Sequence, residues 1–113
     1  MIDMGKLYET LITFGHGEQG EGLALFVEIL EGGKALAFHD TNRAHLFHGK
    51  VSEETDDGFT WTVERHKDVP VWTIRFQVMT LDRFNKEWRG KRVGEVPPFK
   101  YEEDLHEWYR RHF

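Results

Sequence analysis

Three histidines and a carboxylate crowd into ten residues: His39, Asp40, His45 and His48. Imidazole and carboxylate are the donors that zinc and other first-row divalent metals take. Between them, Asp40-Thr41-Asn42-Arg43 has the composition of a turn. A hairpin through that turn would set His39 opposite His45, within reach of one ion, with Asp40 as a third donor. His48 has the opposite parity to His45 on a regular strand and leaves that face. Two histidines and a carboxylate suit an open catalytic site and do not complete a structural one. The candidate metal set is therefore His39, Asp40 and His45, weighed against the plainer reading of solvated hairpin histidines.

Other chemistry is thinner. Gly15-His16-Gly17-Glu18-Gln19-Gly20 spells G-x-G-x-x-G. That pattern cradles a pyrophosphate only between a strand and a helix whose first amides face the phosphates. A strand precedes it, but hairpins follow rather than βαβ units, so a hairpin loop is the better expectation. His16 and Glu18 on this loop could form an acid–base pair. The only serine, Ser52, lies beside Glu53 and Glu54, which argues against a serine triad. Glu103 and His106 make one Glu-x-x-His step; a di-iron bundle needs two and further glutamates. Cysteine is absent, which removes disulfides, thiolate metal sites and cysteine nucleophiles together.

One segment concentrates positive charge. Arg83, Lys86, Arg89, Lys91 and Arg92 occur within ten residues that hold a single acid, Glu87, and they interleave with Phe84 and Trp88. Bases interleaved with aromatics can grip phosphates and stack on nucleobases. The competing expectation is an amphipathic helix with a cationic outer face. Trp88, Trp108 and Tyr109 lie near the C-terminus, where large aromatic side chains anchor protein contacts if they are exposed. The candidate binding surface is thus Arg83, Lys86, Trp88, Arg89, Lys91, Arg92, Trp108 and Tyr109. Residues 1–57 carry 11 acids against 4 bases and residues 58–113 carry 9 against 11. An acidic half argues against a general nucleic-acid coat.

The elements that position these groups follow from apolar period. Phe59, Trp61 and Val63 alternate, and so do Trp72, Ile74, Phe76 and Val78. A period of two puts each set on one side of a pleated ribbon. Lys6–Phe14 reads as a strand with Tyr8, Ile12 and Phe14 on one side, and the glycine-rich 15–22 as its flexible connector. Leu23–Glu31 fits either a helix or a strand; strand is preferred because Gly32-Gly33 suits a two-residue hairpin turn that sets Glu31 opposite Lys34. Ala35–His39 and Ala44–Thr55 continue the sheet. Asp56-Asp57-Gly58 predicts a three-residue turn that places Val51 opposite Val63. His66-Lys67-Asp68-Val69 makes the next connection, with Pro70 opening the strand after it. After Thr80 the period becomes helical: Thr80 caps a helix with Leu81, Phe84 and Trp88 on one face, and Gly90 ends it. A last helix, 101–112, opens on Glu102, Glu103 and Asp104 and closes on Arg110, Arg111 and His112, both favourable to the helix dipole. Tyr101, Leu105, Trp108 and Tyr109 form its apolar stripe.

The expectation is a single α+β domain of 113 residues, with a mostly antiparallel sheet of five or six strands over 6–80 and two C-terminal helices, 81–90 and 101–112, packed on one face. The longest apolar run, Leu23–Val27, is far short of a membrane span, and the acidic N-terminus lacks the pattern of a secretory signal. A cytoplasmic location is expected. The favoured function is a non-enzymatic binding or regulatory module acting through protein contacts, including self-association as a homodimer. The alternatives are a metal- or histidine-dependent enzyme at His39, Asp40 and His45, and a nucleic-acid binder through 83–92.

Overall fold

The computed structural model describes residues 6–39, 44–65 and 71–112, apart from the side chains of Phe26 and Arg65. Six strands run in sequence order: β1 (Leu7–Thr13), β2 (Gln19–Leu30), β3 (Ala35–His39), β4 (Ala44–Thr55), β5 (Gly58–Arg65) and β6 (Trp72–Met79). Each pairs antiparallel with the next, and β6 returns to pair with β1. The sheet is therefore a closed barrel. Strand character at 23–30 and the alternation in β5 and β6 are as expected, with Phe59 opposite Phe76, Trp61 opposite Ile74 and Val63 opposite Trp72.

Closure changes what covers the apolar face. Tyr8, Ala24, Leu36, Phe59, Trp61, Ile74 and Phe76 bury one another inside the barrel. Phe59 and Phe76 stack at 4.5 Å, and Tyr8 meets both edge-on. The face expected beneath the helices is thus turned onto itself. The helices instead pack outside, where β1, β2 and β6 are apolar on their second face too. Leu7, Leu23, Leu25 and Met79 form a second cluster there with Phe84, Trp88, Leu105 and Tyr109. The unbroken run Leu23–Val27 is the signature of a strand buried on both faces.

Residues 81–92 form one helical segment, α1, in three registers: α at Leu81–Arg83, π at Phe84–Trp88 and α again at Arg89–Arg92. The Thr80 hydroxyl accepts from the Arg83 amide at 3.2 Å, the expected cap. The Arg89 amide reaches Phe84 O, five residues back. That wider turn holds both Phe84 and Trp88 in the outer cluster. Gly90 does not end the helix. Gly94 does: it adopts φ +79° and its amide returns to Arg89 O at 3.2 Å. Helix α2 (Glu102–His112) has the expected charge at both ends. Leu105 and Tyr109 are its buried contacts, whereas Tyr101 lies outside the helix and is exposed. The Asn85 side chain clamps the linker between the helices, donating to Phe99 O at 2.9 Å and accepting from Phe99 N at 3.0 Å.

Three turns differ from expectation. Gln19 to Gly22 belong to β2, so the glycine-rich connector shrinks to a tight turn closed by Phe14 N to Glu18 O at 2.9 Å. Residues 31–34 make a four-residue loop between the pair Leu30 and Ala35, which separates Glu31 from Lys34. At the β4–β5 turn, Thr55 pairs with Gly58, leaving only Asp56 and Asp57 between them, and a bulge lies between Ser52 and Thr55. Glu53 in the bulge has φ +48°; the shorter turn and the bulge each shift the register by one, so Val51 meets Trp61 rather than Val63. Pro70 and the 66–69 connection lie outside the described residues. No helix among the described residues is long and apolar enough to cross a membrane.

Candidate functional site: an aromatic cleft in the barrel wall

The histidine cluster does not converge as expected. Phe38 pairs with His45 and His39 pairs with Ala44. This register is one residue off the assumed one, and a one-residue offset sends side chains to opposite faces. His45 is on the inner side, stacked on Phe38 at 5.2 Å and Phe47 at 5.9 Å. His39 is on the outer side. Asp40 lies outside the described residues. His48 is also on the outer side, with Nδ1 4.0 Å from a Glu31 carboxylate oxygen. No group of three or more His, Cys, Asp or Glu suited to a metal occurs among the described residues. The G-x-G-x-x-G letters form a hairpin turn leading into a strand, which denies them a helix N-terminus. His16 and Glu18 do meet there, 3.7 Å apart and largely in solvent.

The basic segment is largely engaged within the molecule. Arg83 Nη2 is 3.1 Å from Glu9 Oε1, and Arg83 Nε pairs with Glu87 at 3.2 Å. Lys86 pairs with Asp82 at 3.0 Å, and Arg89 donates to the Val96 carbonyl. Trp88 is buried, its indole N–H donating to Glu9 Oε1 at 3.0 Å. Its ring is therefore not an open platform for a base, although Lys91 and Arg92 lie 5.5 and 5.1 Å from its centroid. Tyr109 is buried as well. Trp108 is half-buried and stacks on His112 at 4.2 Å. Two of the three expected aromatic anchors are thus core residues. A groove of about 360 Å³ beside α1 is bordered by Glu9, Glu21 and Glu87 and by Arg75, Arg83 and Lys91, with Arg83 already paired to Glu9 and Glu87.

A different site emerges where β2 leaves β3. Among the described residues, β2 first pairs with β3 at Leu25 opposite His39. Its earlier half, Gln19–Ala24, pairs among the described residues with β1. Inward positions there are small: Gly20 opposite Ile12, Gly22 opposite Thr10 and Ala24 opposite Tyr8. A Cβ on Gly22 would come within 2.8 Å of the Thr10 hydroxyl oxygen, so a larger residue does not fit without movement. Small side chains on this stretch of β2, which among the described residues pairs on one side, border a cleft of about 300 Å³. Its walls are aromatic. Phe14 stacks on Trp72 at 5.2 Å, and Phe47 meets Trp72 edge-on at 5.2 Å. Phe38 and His45 close the opposite side.

At the rim stand two charges from the outer face, Glu21 and Arg92. Arg92 comes from the last turn of α1, and its guanidinium lies over the Trp88 ring. Its Nε is shielded from solvent and meets no hydrogen-bond acceptor among the described residues. The cleft thus joins an apolar, π-rich interior to one cation and one carboxylate at its mouth. Of the described residues expected from sequence to act, His45 and Arg92 border it. The missed signal was G-x-G-x-A at positions 20, 22 and 24, three successive inward positions without bulk. Comparison with protein-family models, with curated proteins and with solved structures returns no match for this chain.

Proposed function

We propose that this protein is a non-enzymatic binding protein whose ligand is a small planar molecule seated in the aromatic cleft. The observation that carries the reading is the cleft itself: about 300 Å³ lined by Phe14, Phe38, Phe47 and Trp72. That is at the lower end of the range for ligand sites, which are mostly apolar with a few placed polar groups. A dry cavity of about 150 Å³ accepts one benzene ring, so this one has room for a bicyclic ring or a ring with a short chain. Aromatic walls favour a flat π-system, through offset and edge-on contacts each worth about 0.5–1.5 kcal/mol beyond area burial. This reading replaces the protein partner expected from sequence with a small molecule, and the C-terminal surface with the barrel wall.

The test is a titration with indole, a neutral planar probe, followed by amide chemical shifts and thermal melts. Shifts confined to the residues around Phe14, Gly22, Phe38 and Phe47 are expected. So is a higher melting temperature; at a hundredfold excess over Kd, binding adds about 2.7 kcal/mol to stability. Ile12→Trp, which fills the cleft from β1, should remove both effects. Scattered or absent shifts at millimolar indole in a folded protein would sink the reading.

A further inference from the structure

We infer that the cleft selects an aromatic monocarboxylate, with the ring inside and the carboxylate on Arg92; this rests on the cleft being the binding site. Arg92 has the attributes of an anion clamp held ready. It borders the cleft, and its guanidinium carbon lies 5.1 Å from the Trp88 ring centroid, within cation–π range. The Trp88 ring is in turn pinned by its bond to Glu9. Its neighbours in the basic segment, Arg83, Lys86 and Arg89, spend their charge on Glu9, Glu87, Asp82 and the Val96 carbonyl. Arg92 enters no ion pair or side-chain hydrogen bond among the described residues and lies against the Trp88 ring instead. A planar guanidinium presents its donors in a fork that matches a carboxylate in two parallel bonds.

Charge number narrows the class further. Glu21 shares the rim with Arg92, so among the described residues the mouth of the cleft carries one charge of each sign. A monoanion can pair with Arg92 while Glu21 stays in water. A dianion such as a phosphate monoester would face Glu21 with its second charge uncompensated. Neutral planar molecules satisfy the walls but leave the Arg92 fork unused.

The test compares 3-indolepropionate with its primary amide by calorimetry at pH 7.5. The two probes share ring and chain length and differ in charge. A charge-assisted hydrogen bond is worth roughly twice a neutral one, so the acid should bind the wild-type protein about tenfold more tightly than the amide. Arg92→Gln should reduce that preference to within about twofold, mainly by weakening the acid, with the amide weakened less. Arg92→Lys should retain part of the preference. Equal affinity of the wild type for acid and amide would overturn the inference and leave the cleft reading standing. Loss of amide binding in Arg92→Gln would make Arg92 a packing residue and overturn it too. Failure of both probes on the wild type would overturn the cleft reading along with it.

Discussion

Gly58 shows how much one missing methyl decides. It pairs with Gln77 across β5 and β6, and a Cβ there would sit 1.9 Å from the Phe76 carbonyl oxygen. The obstacle is backbone, so it cannot swing aside as a side-chain tip would. Gly90 is the opposite case: it lies within α1 and a Cβ on it meets nothing within 4 Å. Gly58→Ala should therefore lower stability by about 1–3 kcal/mol, the usual cost of forced overpacking. Gly90→Ala should raise it by about 0.5–1 kcal/mol, because alanine gives up less backbone entropy in a helix. Denaturant melts of the two variants measure both. Destabilisation by Gly90→Ala would mean that the helix ends at 90 and not at Gly94.

At the scale of elements, α2 carries a titrating group that ties its docking to acidity. His106 is half-buried, and its pKa is held below the usual imidazole value of 6.5 first by burial, then by the Arg110 charge, against an opposing pull from Glu103. The unfolded chain therefore takes up this proton at a higher pH than the folded one. His106 contributes no penalty well above pH 6.5, and stability falls as pH drops from there towards the lowered folded value. Melting temperatures between pH 8 and 5 should fall more steeply for the wild type than for His106→Gln; parallel curves would contradict the assignment. The elements themselves were legible wherever their signal is local. Alternation in β5 and β6, the Thr80 cap and the charge-tipped α2 all read directly, because period and capping depend on neighbours a few residues apart. Register was not, since it hangs on turn length. The shorter β4–β5 turn and the bulge at Glu53 each moved Val51 by one partner, and one residue at the β3–β4 turn sent His39 and His45 to opposite faces. The cleft was missed because small inward residues look like a loop until their partners on β1 are known.

Closure of the barrel is a property of the whole chain, and alternation cannot distinguish it from an open sheet. Leu7–Thr13 pairs with Thr73–Met79 over seven residues, joining the first strand to the last. Those contacts close the largest loop in the molecule, so their entropic cost is met only once the intervening strands are in place. The inner cluster lies on one side of both strands, and at one end Leu7 and Met79 lie under α1 and α2 on the other. The tip of the β4–β5 hairpin is the reverse, with residues 50–57 all exposed and a bulge interrupting the pairing. Opening free energies should be graded accordingly. In native-state hydrogen exchange, protected amides of Tyr8–Ile12 and Ile74–Val78 should exchange only through global unfolding, at rates set by the full stability. Amides of Ser52–Thr55 should exchange orders of magnitude faster by local opening, with little dependence on denaturant. If β1 exchanged as readily as the hairpin tip while β5 stayed protected, the first strand would be a detachable flap. The barrel would then be an open sheet, and the cleft between β2 and Phe38 would lose the wall that defines it.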